Sequence, residues 1–158
     1  MGVLVTLLKL VGSVLLSLAA GGLGAIATTP NIPTWYAGLD KPPFLPPNEI
    51  FGPVWTVLYV LMGIALFLVL IHKPTKTQLK QRAYIAFGAQ LVLNTLWSIV
   101  FFGLHLPWLG ALVILMLLGA IVWTISEFRV FSKTAAALLI PYIAWVSFAT
   151  YLTIGIAV

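Results

Sequence analysis

Several polar and aromatic residues stand inside long apolar runs of this chain, where each needs a physical reason to be. Trp55 and Tyr59 are four residues apart and share one face of a helix. Asn94 and Ser98 share a face in the same way, with Phe101 one turn on. Trp145, Ala149 and Leu152 share a third face, with Tyr142 beside Trp145. An asparagine in hydrocarbon is costly unless hydrogen-bonded, so Asn94 must meet a partner, a water or a ligand. Two readings stay open: Asn94 bridges helices, or it is the polar point of a pocket. Tryptophans on membrane helices commonly anchor at the interface. Trp55 and Trp145 lie several residues inside their runs, which suits an interior role. Indole and phenol rings can stack on a flat apolar molecule. The Asn94 amide and the Trp55 indole N–H can donate to its carbonyl or carboxylate.

Other chemistries lack their residues. Asp40, Glu49 and Glu127 are the only carboxylates. All lie near the ends of apolar runs, and no two are spaced for paired acid–base work. His72 and His105 are isolated and fall in loops, so no metal site is expected. With no cysteine there is no disulfide, thiolate ligand or thiol nucleophile. A phosphate-binding glycine loop is absent. No Asp, Glu or Lys deep in a run marks a proton relay, which argues against ion-coupled transport. Lys9 is near enough to the end of its run to snorkel.

The elements that position these residues follow from composition. The chain has 158 residues, 62% hydrophobic and 7% charged, against roughly 25% charged in a soluble domain. Its mean hydropathy is +1.15. A formal charge of +5 invites a nucleic-acid partner, but the basic residues cluster at the ends of apolar runs, which is a membrane-topology signal. A membrane span needs ~20 apolar residues. Five runs qualify, at about residues 3–27, 50–71, 83–104, 108–126 and 135–158. The expected fold is therefore an all-α membrane protein, a five-transmembrane-helix bundle in one domain over residues 1–158. The first run resembles a signal peptide in its small residues Ala19-Ala20-Gly21, but it has no basic segment before it and continues long enough to span, so it is read as a retained helix.

Residues 28–47 form the longest connection, TTPNIPTWYAGLDKPPFLPP. Pro33, Pro42, Pro43, Pro46 and Pro47 stiffen it, so it is expected to be a structured lid. Trp35, Tyr36 and Phe44 can bury themselves at the interface or over a cavity. Orientation follows from the short loops. Residues 72–82 carry Lys73, Lys76, Lys80 and Arg82, and the fourth connection carries Arg129 and Lys133. Both lie on the side of the N-terminus, whereas the opposite loops carry only Lys41. The positive-inside rule then puts the N-terminus and basic loops in the cytoplasm, and the lid and C-terminus outside the cell membrane. Ser13, Ser17, Gly21 and Ala25 repeat every four residues, a row that lets helices approach closely, within the chain or between two copies. Pro141 should bend or loosen the fifth span.

Taken in order, several segments resemble the TspO/MBR family, the tryptophan-rich sensory proteins of bacteria and the mitochondrial translocator proteins or peripheral-type benzodiazepine receptors. They are WYAGLDKPPFLPP with the PVWTVLY run, AQLVLNTLWSIVFFG at residues 89–103, and LLIPYIAWVSFATYL at residues 138–152. The glycine-rich GGLGA of the first helix fits more loosely. The similarity covers essentially the whole chain and looks bacterial in type. It implies a five-helix bundle, commonly a homodimer, with a ligand cavity under the first loop and no required cofactor. The implied ligands are porphyrins such as protoporphyrin IX, sterols and benzodiazepine-type drugs. Carried over by motif, Trp55, Asn94, Ser98, Trp145 and Ala149 line the cavity, with Trp35 and Tyr36 from the lid. Tyr59 and Tyr142 join them from the shared faces. Some bacterial members are reported to promote light-dependent porphyrin breakdown, and Trp55 and Trp145 match the tryptophans implicated. A binding protein, a photo-oxidative enzyme and a porphyrin or sterol transporter all remain open. One departure matters: Tyr151 is followed by LTIGIAV, without the basic residue of the sterol motif proposed in animal members.

Overall fold

The apolar runs leave the backbone no water to bond, so it closes its hydrogen bonds within helices. The computed structural model describes residues 2–73 and 76–158. Helix α1 spans Val3–Thr28, α2 Phe51–Ile71, α3 Thr77–Ser98 and α4 Pro107–Phe131. The last span is two helices, α5 Lys133–Leu138 and α6 Ile140–Ala157. Five spans are long and apolar enough to cross a membrane, and the described residues contain no strand. The protein is a multi-pass membrane helix bundle.

Several boundaries differ from those the apolar runs predict. Helix α3 begins at Thr77, not near residue 83, and α4 runs to Phe131, not Ser126. Hydropathy marks the part of a helix that meets lipid, whereas the polar turns beyond it keep the same backbone. Little is left of the expected fourth connection. Ser132 alone separates α4 from α5, its side chain accepting from the Ala135 N–H as an N-cap. The middle of the expected basic loop, residues 74 and 75, lies outside the described residues.

The bend expected from Pro141 is a break at Leu139. Helix α6 restarts with Pro141 in its first turn, where a missing N–H costs nothing. The break has a consequence for shape. Helix α2 packs on α1 and α5, whereas α6 packs on α4. Beyond Leu139, then, α6 leaves α2, and a space opens between them.

The small-residue row of α1 faces into the bundle, where Ser13 and Ser17 are buried. A Cβ on Gly63 of α2 would come within 2.4 Å of the Val14 Cα, and one on Gly21 would run into the Tyr59 ring. The row therefore seats α1 against α2 of the same chain. Toward the lid, Gly24 lies against Ser98 and the Thr95 hydroxyl donates to the Ala20 carbonyl at 2.9 Å, which pins α1 to α3.

Helix α3 ends in a π-helical segment at Ile99–Gly103. The wider turn presents Val100, Phe101 and Phe102 to the interior together. At the opposite end of the bundle, the Arg82 guanidinium pairs with the buried Glu127 carboxylate at 2.7 Å. The Trp123 indole donates to the same oxygen at 3.1 Å.

Candidate functional site

A chain of side-chain hydrogen bonds crosses the centre of the bundle. Tyr59 donates from its hydroxyl to Asn94 Oδ1 at 2.7 Å. Asn94 Nδ2 donates to the Tyr142 hydroxyl, which donates on to Gln90 Oε1, each at 2.7 Å. The four residues come from α2, α3 and α6, and all are buried. In this low-dielectric setting a satisfied network is strong and directional, and an unsatisfied one is costly. It ties α3 to both α2 and α6.

On the lid side of the network lies a cavity of about 330 Å³. That volume sits at the lower end of the range for small-molecule sites. Gly21 and Ala25 of α1 leave room on one wall. Trp55 and Tyr59 rise from α2, Trp97, Ser98 and Phe102 from α3, and Trp145 and Ala149 from α6. The Trp55 ring stacks on Tyr59 at 5.7 Å and lies 6.2 Å from Trp97. Trp97 stacks in turn on Phe101 at 5.7 Å. Across the gap between α2 and α6, Phe51 meets Trp145 edge to face at 5.9 Å. The lining is aromatic on several sides, with a few polar atoms.

The segment expected to form a lid carries two short 3₁₀ turns, Thr29–Asn31 and Tyr36–Gly38. Trp35 stacks face to face on His105 at 4.6 Å and meets Phe101 edge-on at 5.4 Å. His105 Nε2 lies 2.8 Å from Asn31 Oδ1. The Asn31 amide donates to the Ala27 carbonyl, so its oxygen faces the imidazole and His105 is the donor. At the other end of the lid, Tyr151 of α6 donates to the Pro43 carbonyl at 2.8 Å, and Gly155 leaves room for the Pro42 ring. Tyr36 is buried beneath, with the Lys41 ammonium 4.7 Å over its ring. Burial pushes the Tyr36 phenol above its ordinary pKa. Phe44 does not cover the cavity: it projects from the protein, 93% exposed, at a positive φ of 67°.

Comparison with known proteins places this geometry. Residues 13–158 match the model of the TspO/MBR family. The chain belongs to that family. The "Tryptophan-rich protein TspO" of Archaeoglobus fulgidus is 45% identical over 95% of both chains. The "Translocator protein" of Homo sapiens is 38% identical over 75% of this chain and 70% of its own. A "Tryptophan-rich sensory protein" of Cereibacter sphaeroides is 33% identical over 80% of this chain and 79% of its own.

In this TspO/MBR chain the expected site residues fall into three groups. Trp55, Tyr59, Ser98, Trp145 and Ala149 line the cavity. Asn94 and Tyr142 lie in the network beside it, their polar atoms engaged with protein partners. Trp35 and Tyr36 belong to the lid and do not line the cavity themselves, but both pack on Phe102, which does. Gln90 of the network, Trp97 and Phe102 of the cavity wall, and His105, which stacks on Trp35, escaped the spacing argument. Gln90 was within reach, because Gln90, Asn94 and Ser98 repeat every four residues on one face. His105 was not, because its partners Asn31 and Trp35 are far away in the chain.

Proposed function

We propose that this protein is a membrane-embedded binding protein for flat hydrophobic ligands, with tetrapyrroles such as protoporphyrin IX as the leading class. The observation that carries this reading is the cavity between α2 and α6, walled by Trp55, Trp97, Trp145 and Phe102. Aromatic walls favour a planar ligand, and the lid keeps water from it. Helices α2 and α6 scarcely pack on each other beside the cavity, so a macrocycle larger than the resting volume can enter by parting them. The relatives' printed names concern translocation and sensing, and are compatible with ligand capture. Sterols and benzodiazepine-type drugs share the flat apolar character. A sterol site built on Tyr151 is disfavoured, since that hydroxyl already holds the lid.

Titration of purified protein with protoporphyrin IX should quench tryptophan emission with a dissociation constant in the micromolar range, about −8 kcal/mol. Replacing Ala149 by Phe fills the cavity from α6 and should weaken binding at least tenfold, as should Trp55→Ala. Unchanged titrations in both variants would remove the cavity from the reading.

A second reading is photo-oxidative porphyrin breakdown. It is favoured by the ring series Tyr59–Trp55–Trp97–Phe101, whose neighbours lie 5.7–6.2 Å apart. An excited porphyrin held against Trp55 and Trp145 could pass one electron to dioxygen, and the porphyrin radical cation and superoxide so formed combine to open the ring, both oxygen atoms staying in the product. Loss of the Soret band under light in air, slowed in a Trp55/Trp145 double variant, would separate catalysis from binding. Dimerisation and a cytoplasmic N-terminus complete the proposal.

A further inference from the structure

A series of aromatic rings leads out of the cavity and into the lid. It begins at Trp55, which lines the cavity and lies 6.2 Å from Trp97. Trp97 stacks on Phe101 at 5.7 Å, and Phe101 meets Trp35 of the lid edge-on at 5.4 Å. Phe102 gives a second bridge, 5.8 Å from Trp97 and 6.5 Å from Trp35. The π-segment is what brings both phenyl rings between the two indoles. Trp97, Phe101 and Phe102 are buried. Trp35 is half-buried, and the His105 ring stacked on it at 4.6 Å belongs to an exposed residue. The series therefore joins a dry interior to the wetted end of the molecule.

Packed rings are common in cores, so spacing alone does not make a relay. The protons decide it. An oxidised indole is a radical cation, and its hole stays mobile until the N–H proton is lost to a base. The Trp97 N–H is buried and has no hydrogen-bond partner among the described residues, so nothing there takes its proton. The neighbouring tyrosines are closed as stops for the same reason, because a phenol is oxidised with loss of its proton. Tyr59 and Tyr142 flank Trp55, but their hydroxyls donate to the amide oxygens of Asn94 and Gln90, which are poor bases. Tyr36 packs on Phe102, and its buried hydroxyl has no partner among the described residues. Phenyl rings resist oxidation and serve as bridges only. A hole on Trp55 thus has two further resting points, Trp97 and Trp35, and Trp35 is the one that an aqueous molecule reaches.

We propose that this series carries an electron inward from the lid to an oxidised ligand in the cavity, a step that rests on the cavity's holding a porphyrin. The light-excited porphyrin gives one electron to dioxygen, which becomes superoxide, and is left as a radical cation. Trp55 returns one electron to it. Trp97 refills Trp55, and Trp35 refills Trp97 across Phe101 and Phe102. A small aqueous reductant of the ascorbate class refills Trp35 and releases one proton. The net change is one electron moved from ascorbate to dioxygen, giving ascorbyl radical, superoxide and a proton, with the porphyrin and every ring restored. The relay competes with ring opening and spares the ligand.

Illumination of the full-length protein in air, saturated with protoporphyrin IX and in the presence of a nitroso spin trap, tests this. Peptide mass spectrometry locates the trapped tryptophan, and the Soret shift on titration is read first for each variant. Wild type should carry the adduct on Trp35. Ascorbate should abolish that adduct and slow the loss of the Soret band. Trp97→Phe removes the middle resting point and should move the adduct to Trp55. Trp35→Phe keeps a ring in the lid and should lose the protection by ascorbate. An adduct on Trp35 undiminished in Trp97→Phe overturns the relay, because it reports a diffusing oxidant. So does an adduct confined to Trp55 in wild type, or equal protection by ascorbate in Trp35→Phe. These outcomes leave binding intact, whereas a wild type without a Soret shift removes the binding reading and the relay with it.

Discussion

Asn94 shows what a single polar residue in a membrane helix can do. Its amide accepts from Tyr59 and donates to Tyr142, so one side chain binds α3 to both α2 and α6. Removing it leaves unequal consequences. Tyr142 keeps its bond to Gln90, whereas the buried Tyr59 hydroxyl loses its partner. Interhelical hydrogen bonds in membranes average only ~0.6 kcal/mol, but an orphaned buried group costs about 1–3 kcal/mol. Asn94→Ala should therefore destabilise the protein by about 1–3 kcal/mol. The same change made in a Tyr59→Phe background should cost less, because no hydroxyl is stranded. Thermal unfolding in detergent measures the four corners of this cycle. Equal costs in both backgrounds would show that the network is not the source of the effect. That Asn94 needs a partner could be read from the sequence, because the cost of a bare amide in hydrocarbon is general. Which partner it takes could not, because the choice between a ligand and Tyr142 depends on how α6 is turned after its break at Leu139.

At the scale of elements, the spans and their number were legible and their contacts were not. Hydropathy locates a helix that meets lipid, and five such helices are present. It says nothing of the polar turns at Thr77 or beyond Ser126, nor of the π-segment that gathers Phe101 and Phe102 under the lid. The small-residue row of α1 suited two partners equally, and the structure assigns it to α2. This assignment makes a contrast between two glycines. On Gly63 a Cβ would stand 2.4 Å from the Val14 Cα and 2.9 Å from the Ser13 carbonyl, so α1 would have to move. On Gly119 of α4 it would meet nothing within 4 Å. Gly63→Ala should cost about 1–3 kcal/mol by overpacking. Gly119→Ala should be neutral or stabilising by up to ~1 kcal/mol, through helix propensity. Melting temperatures of the two variants in one detergent decide it. A Gly63→Ala variant as stable as wild type would mean that α1 is held elsewhere.

At the scale of the whole molecule, the distribution of charge bears on how the bundle sits in its membrane. Lys76, Lys80, Arg82, Arg129 and Lys133 gather at one end, and Arg82 is also spent on closing α3 against Glu127. The lid end carries Lys41, Asp40 and Glu49, close to neutral in sum. This asymmetry favours a cytoplasmic basic end and an external lid. The chain has no cysteine, so single cysteines report position without background. Phe44 is the natural outer probe, being a 93% exposed residue of the lid. Lys80, near the start of α3, is the inner one. In intact cells a membrane-impermeant maleimide should label Phe44→Cys and spare Lys80→Cys, which should react only after permeabilisation. The reverse pattern would put the lid in the cytoplasm, and a ligand would then reach the cavity from inside the cell. Labelling of both in intact cells would mean that the chain inserts in two orientations, so that its basic loops do not fix its topology.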